Sequence, residues 1–361
     1  MHRPSRRRLR TLILVLVAFL TLAACSRRET APAAPAGPAA ASAAELRLGY
    51  FPNITHAPAL IGVANGYFQQ ELGSTKLTTQ TFNAGPEEVS ALLGGSLDAG
   101  FIGSSPAINA FAKSNGRAVR LVAGSTSGGA QLVVSPDITS ADQLKGKIIA
   151  TPQAGNTQDV ALKKWLKANN LQNGSGPDAV TVQNIDNPRT LDLFKSKQVA
   201  GGWLPEPWSS RLVDAGAKVL VDEKTLWPDG KFPTTVLIVR TQYLQEHPDT
   251  ISALIRGEQK AVDFATANAA DAKKVTNDSI KQLTGSSLAP AVLDRSFTEL
   301  QFTLDPLAAT FPQLSKDSVT AGITKDETNL QGFLDVGPLN TVRTAAGESP
   351  VDAAGLDKPQ G

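Results

Sequence analysis

The sequence predicts an α/β protein whose parallel sheets are built in two successive units. Three observations carry this. Short apolar strands alternate with helical segments at the spacing of βαβ crossovers. The pattern restarts near Ser140 after a first complete run. Strand after strand also ends in a small polar turn that opens a helix, the place where α/β proteins put ligand groups. With 361 residues, 41% hydrophobic and 19% charged, the chain is long enough for two substantial cores.

The front of the chain reads as an address. Residues 1–10 are arginine-rich, Thr11 to Ala24 is an apolar run, and the run ends in Leu22-Ala23-Ala24-Cys25. Fourteen apolar residues are too short to span a bilayer and suit the core of a signal peptide. Leu-Ala-Ala-Cys matches the bacterial lipobox, which assigns residues 1–24 to a signal peptide and Cys25 to lipidation. Ser5 to Leu9 also resembles a twin-arginine export signal, which a plain arginine-rich leader explains equally well. Ser26 to Ala44 is nearly all Ala, Pro, Ser and Arg; it cannot bury enough apolar surface to fold, so 25–44 is expected to be a tether. The expected location is outside the cytoplasmic membrane, anchored by lipid.

Charge and cysteine content exclude several classes. Removing the five arginines ahead of Cys25 leaves 30 basic against 33 acidic residues, a balance unlike that of nucleic-acid proteins. One cysteine and three histidines make neither a disulfide framework nor a Cys/His metal cluster, and no cofactor is expected.

In the folded body, Glu45 to Phe51 predicts the first strand. The turn Pro52 to Pro58 places Asn53 and His56 just beyond it, before a helix over Ala59–Gln69. His56 reads either as a turn residue bonded to the backbone or as a ligand contact through a ring N–H. Lys76 to Phe82 predicts a second strand, and Asn83 to Glu88 a turn into a helix ending at Leu93. Ala99 to Ile102 is then a buried strand, followed by Gly103-Ser104-Ser105 and a helix opened by Pro106, with Ser104 or Ser105 as N-cap. Such a turn offers free amides, hydroxyls and the positive end of a helix dipole, which together make an anion cradle. Val119 to Ala123 predicts a strand, and Gly124 to Gly129, with Ser127 and Gly128, a second polar turn that doubles as an ordinary loop.

After the strand Gln131–Ser135 the second unit begins. Lys147 to Thr151 is a strand, Pro152 to Thr157 a third polar turn holding Asn156 with Thr157 as N-cap, and Gln158–Asn169 a helix. Strands over 180–185, 199–203 and 218–221 follow, with a helix over 187–195. Trp203-Leu204-Pro205-Glu206-Pro207-Trp208 breaks off the second of these strands, 199–203. Glu206 suits a helix N-terminus and equally suits a cationic group of a ligand; Trp203 and Trp208 suit core or cleft wall. Thr234 to Arg240 is one more strand, and the remainder reads as helical, with helices over 243–246, 248–268, 270–283 and 290–302, before a polar tail over 347–361.

LRLGYFPNITHAPA (46–59), FNAGPEE (82–88), GGSLDAGFIGSSPAI (94–108), ADQLKGKIIATPQAGNTQD (141–159) and WLPEPW (203–208) together resemble the solute-binding proteins of ABC importers for aliphatic sulfonates, taurine and nitrate. The resemblance implies a type II periplasmic-binding fold, two α/β lobes joined by two crossover strands. Residues 45–130 and 235–346 would form the first lobe and 136–234 the second, with Gln131–Ser135 and Val236–Arg240 as the crossovers. It also implies a cleft lined by Asn53, His56, Ser104, Ser105, Ser127, Gly128, Asn156, Thr157 and the neighbourhood of Trp203 and Glu206. The implied protein is a monomer without catalytic activity that hands a small organic anion to an ABC permease and its ATPase. An aliphatic sulfonate or taurine leads, the latter using Glu206 for its amine; nitrate, bicarbonate and a thiamine-type pyrimidine stacked on a tryptophan stay open. A pyrimidine-synthase-like enzyme shares the fold, but its cysteine-rich motif is missing here.

Overall fold

The computed structural model describes residues 42–358. The signal segment, Cys25, most of the tether and the last three residues lie outside them. From the start of the described chain run β1 (Glu45–Tyr50), α1 (Ala57–Ala64), α2 (Tyr67–Leu72), β2 (Lys76–Thr81), α3 (Gly85–Leu93), β3 (Ala99–Ile102), α4 (Ser104–Lys113) and β4 (Val119–Gly128). The second unit holds β5 (Ala130–Val134), β6 (Ile148–Thr151), α5 (Thr157–Ala168), β7 (Gln172–Asn173), β8 (Ala179–Asn184), α6 (Asn187–Lys195), β9 (Gly201–Pro205), α7 (Trp208–Asp214) and β10 (Lys218–Asp222). The chain closes with β11 (Pro233–Arg240), α8 (Thr241–Glu246), α9 (Pro248–Ala267), α10 (Ala269–Thr284), α11 (Pro290–Thr298), β12 (Leu300–Phe302), α12 (Phe311–Thr320) and α13 (Gly337–Ala345).

These strands form two six-stranded sheets, ordered β12-β4-β11-β3-β1-β2 and β10-β5-β9-β6-β8-β7. The expected parallel pairing holds for β1 with β2 and β3, and for β6 with β8 and β9. The strands nearest the crossings are antiparallel instead: β11 against β3 and β4, and β5 against β9 and β10. Sequence periodicity fixes a strand's buried faces and not its direction, so this mixture was not visible in it. Each sheet is covered on both faces. Leu46, Leu48, Phe68, Phe101 and Ile251 lie in one core of the first lobe, and Phe51, Ile102, Phe111, Phe311 and Phe333 in the other. In the second lobe Leu132, Ile149, Leu162 and Trp203 pack in one cluster, and Val133, Phe194, Leu204 and Leu212 in the other.

The chain passes from first sheet to second through Gly128 and Gly129, whose φ values of +82° and +74° are ones that L side chains rarely adopt. Two expectations change here. Residues 124–128 continue β4 rather than turning, because β11 pairs with it as far as Ser127 and β12 pairs with Thr126 to Gly128. The expected helix over 290–302 ends at Thr298, since Leu300–Phe302 pairs with the end of β4. The expected polar tail also docks over its described part: Ala353 is buried, and Val351 exchanges hydrogen bonds with the Asn340 side chain through its N–H at 2.7 Å and its carbonyl at 3.2 Å.

Candidate functional site

Two helix N-termini meet between the sheets. The sequence expectation opened α4 at Pro106 with Ser104 or Ser105 as its cap; the helix begins sooner, at Ser104, with Gly103 as the capping residue. Ser104 and Ser105 thus occupy the first turn, fully buried, and neither side-chain oxygen has a hydrogen-bond partner among the described residues. α5 likewise starts one residue early, capped by Asn156, which leaves Thr157 in its first turn. The Ser105 amide donates to Thr157 Oγ1 at 3.4 Å across the seam. Each terminus carries about half a positive charge and unpaired N–H groups, so their convergence favours an anion between them.

The turn before α5 is braced from below. Asp159 is fully buried; its Oδ1 accepts from Thr151 Oγ1 and Asn184 Nδ2, both at 3.0 Å, and its Oδ2 from the Gly155 amide at 2.9 Å and Lys163 Nζ at 2.8 Å. The Gly155 carbonyl accepts from Asn109 Nδ2 of α4 at 3.3 Å, another bond across the seam.

A small cavity of about 20 Å³ lies at this meeting point, lined by Phe51, Asn53, Thr55, His56, Asn83, Gly103, Asn156, Thr157, Gln158, Asn187, Pro205, Thr234 and Thr235. No carboxylate and no fixed cation is among these residues. His56 Nδ1 accepts the Phe51 amide at 3.3 Å, and complete burial pulls the imidazole pKa down to about 3. The ring is therefore neutral at physiological pH, and its proton sits on Nε2, a donor without charge. Asn53 Oδ1 accepts from Trp208 Nε1 of the other lobe at 3.0 Å.

The structure thus brings Asn53, His56, Asn156 and Thr157 to one cavity, with Ser104 and Ser105 directly behind Gly103. The other expected residues go elsewhere. Glu206 is completely buried and its carboxylate is used up: Oε1 accepts from Ser209 Oγ at 2.6 Å and Arg295 Nη1 at 3.0 Å, Oε2 from Ser296 Oγ at 2.8 Å and the Ser210 amide at 3.3 Å. It caps α7 and ties it to α11, with no oxygen left for a ligand amine. Trp203 is core, its Nε1 donating to Glu223 Oε2 at 2.7 Å and its ring edge-on to Trp165. Ser127 and Gly128 belong to the crossing: Ser127 Oγ accepts the Phe232 amide at 3.3 Å, and the Gly128 carbonyl accepts from Thr234 Oγ1. Five polar lining residues were not singled out: Asn83, Gln158, Asn187, and Thr234 and Thr235 on β11. Asn83 and Asn187 shortly precede prolines at helix starts, the signal that marked Ser104 and Ser105; Thr234-Thr235 lie inside a strand and carry no such signal.

Against known proteins, the profile described as the NMT1-like family matches residues 39–277. A Brucella abortus (strain 2308) relative, named no further than as a binding protein, is 30% identical over 206 residues, 56% of this chain and 61% of its own length. The taurine-binding periplasmic protein of Escherichia coli (strain K12) is 29% identical over 214 residues, 58% of this chain and 64% of its own. The chain thus spans less than two thirds of the length of these relatives. Among solved structures, the alkanesulfonate-binding protein SsuA of Xanthomonas axonopodis pv. citri, bound to MOPS, superposes with a TM-score of 0.66 at 22% identity, covering 80% of this chain and 97% of that one. The periplasmic nitrate-binding protein NrtA of Synechocystis PCC 6803 gives 0.69 at 14% identity, covering 84% and 89%. These likenesses place the two-sheet architecture among periplasmic-binding folds.

Proposed function

The chain belongs to the NMT1-like family, and we propose that it is the extracytoplasmic solute-binding lipoprotein of an ABC importer, capturing a small organic anion between its lobes without chemical change. The observation that carries this reading is the meeting of the α4 and α5 N-termini over a cavity lined by neutral donors. Neutral donors and helix dipoles hold an anion without the desolvation cost of a buried ion pair, which suits reversible capture. Residues 45–130 with 235–346 and residues 136–234 are the two bodies proposed to close by a hinge at the two crossings. Lipobox and tether support anchoring through Cys25. No helix among the described residues is long and apolar enough to cross a membrane, and the partners proposed for delivery are a separate permease and its ATPase.

An organosulfonate is the leading ligand: the Escherichia coli relative is named for taurine and the Xanthomonas structure for alkanesulfonates. With Glu206 occupied by Arg295, no carboxylate in the cavity awaits an amine, which favours a plain sulfonate over taurine. The tightness of the cavity favours a second reading, a small inorganic anion such as nitrate or bicarbonate. A thermal-shift panel of taurine, ethanesulfonate, propanesulfonate, nitrate and bicarbonate separates these. A ligand at about 100 times its dissociation constant adds about 2.7 kcal/mol. Stabilisation by the sulfonates alone is the expected result, stabilisation by nitrate alone selects the second reading, and a flat response to every anion removes both.

A further inference from the structure

The small cavity does not end at its asparagines. Asn53, Asn83 and Asn187 also line a second hollow of about 250 Å³ that continues the seam outward. Phe82 and Trp208 face it, together with Ile280 and Leu288 from the C-terminal part of the first lobe. Among its lining residues one side chain is charged, Arg211 of α7.

Arg211 is half-buried, and its guanidinium carbon lies 4.7 Å from the centroid of the Trp208 ring. Among the described residues no carboxylate pairs with it, nor with Arg117, Arg120 or Arg189, whereas the arginines at 47, 240, 256, 295 and 343 have acidic partners. A cation drawn into an apolar hollow without an acid is costly, and stacking on an indole recovers part of that cost. Burial accordingly pulls the Arg211 pKa down. Trp208 links the two spaces, since its Nε1 donates to Asn53 Oδ1 on the inner wall while its ring carries the guanidinium.

We propose that this hollow is a second anion subsite, that Arg211 is its specificity-determining residue, and that the ligand is a short-chain dianion. One acidic group sits at the paired helix N-termini, a few carbons pass over Trp208, and a carboxylate or second sulfonate meets the guanidinium. The inference rests on the organosulfonate reading and extends it from the head of the ligand to its tail. It also gives the cleft a means of rejecting amine-tailed ligands, because an ammonium group would face Arg211 with no acid beside it.

Calorimetric titration of the full chain with matched pairs tests this: sulfoacetate against ethanesulfonate, and sulfopropionate against propanesulfonate. The doubly charged member of at least one pair is expected to bind about tenfold tighter, the gain of one charge-assisted contact. Arg211→Gln should bring the pair to parity with the melting temperature unchanged, and Arg211→Lys should restore part of the preference. Equal affinities within both pairs for the unaltered protein overturn the subsite while leaving the organosulfonate reading in place. Failure of all four compounds to bind overturns both together.

Discussion

The two turns that meet in the cleft, Gly103-Ser104-Ser105 from the first lobe and Gly155-Asn156-Thr157 from the second, use the same kinds of residue and are held in opposite ways. Behind the second turn stands Asp159, whose two oxygens take four hydrogen bonds and fix the Gly155 amide in place. In the first, the two serine oxygens are buried with no partner among the described residues. A buried hydroxyl without a partner costs about 1 to 3 kcal/mol, so two in one turn are retained against a stability gradient. The difference teaches a division of labour. On the proposed reading, one half of the cradle is preorganised by its own side chains, and the other keeps unspent hydrogen-bonding capacity for the ligand.

The largest effect that could break this contrast is at Asp159. Replacing it by alanine strands Lys163 and leaves the Gly155 amide, Thr151 and Asn184 without their acceptor, which should destabilise the protein by about 3 to 5 kcal/mol in urea unfolding. A loss below 1 kcal/mol would show that the second turn stands without its brace. Next in size is Gly103→Ala. A Cβ there would lie 2.5 Å from Thr157 Oγ1, closer than real Cβ atoms come to a neighbour, so Thr157 or the turn itself must shift. The lobes would then fail to close fully, so ligand affinity should fall on the order of tenfold or more with the denaturation midpoint nearly unchanged. A large fall in the midpoint instead would place the clash within the unliganded fold.

The paired change Ser104→Ala with Ser105→Ala sharpens the contrast from the other side. Stability should hold or rise slightly, while affinity for the anion drops about tenfold as two donors disappear. Unaltered affinity would remove the serines from the cradle. The smallest effect concerns His56. Its folded pKa of about 3 lies below the ordinary 6.5, so above pH 6.5 both folded and unfolded chains hold it neutral and it adds no pH dependence. As the pH falls below 6.5 the unfolded chain takes up a proton that the folded chain refuses, and stability is lost progressively down to about pH 3. At pH 5.5 this amounts to about 1 kcal/mol, and His56→Gln should flatten that slope in acid titrations of the melting temperature. An unchanged slope in that variant would assign it to another group.

Much of the site could be read along the chain because its logic is local. A strand that ends in small polar residues ahead of a helix announces exposed amides wherever it occurs, which is how Asn53, Ser104, Ser105, Asn156 and Thr157 were found. The helices starting at 104 and 157 begin one or two residues ahead of the expected positions, since the choice between adjacent capping residues depends on what each side chain meets. Glu206 shows where local reading stops. Its position before a helix permitted either a cap or a ligand contact, and the outcome turned on Arg295 and Ser296, nearly ninety residues further on. Trp203 was decided likewise by Glu223 and Trp165, and Thr234-Thr235 entered the cavity because β11 pairs beside β4.

The sequence by itself determined the alternation of strands and helices, the restart that makes two sheets, and the polar turns at strand ends, because propensity, capping and periodicity act over a few residues. Only the tertiary structure decided which turns face one another, which strands run antiparallel at the crossings, and which charged side chains are already partnered. Those outcomes depend on groups from distant segments competing for the same buried space and the same hydrogen bonds, and no stretch of chain carries that information alone.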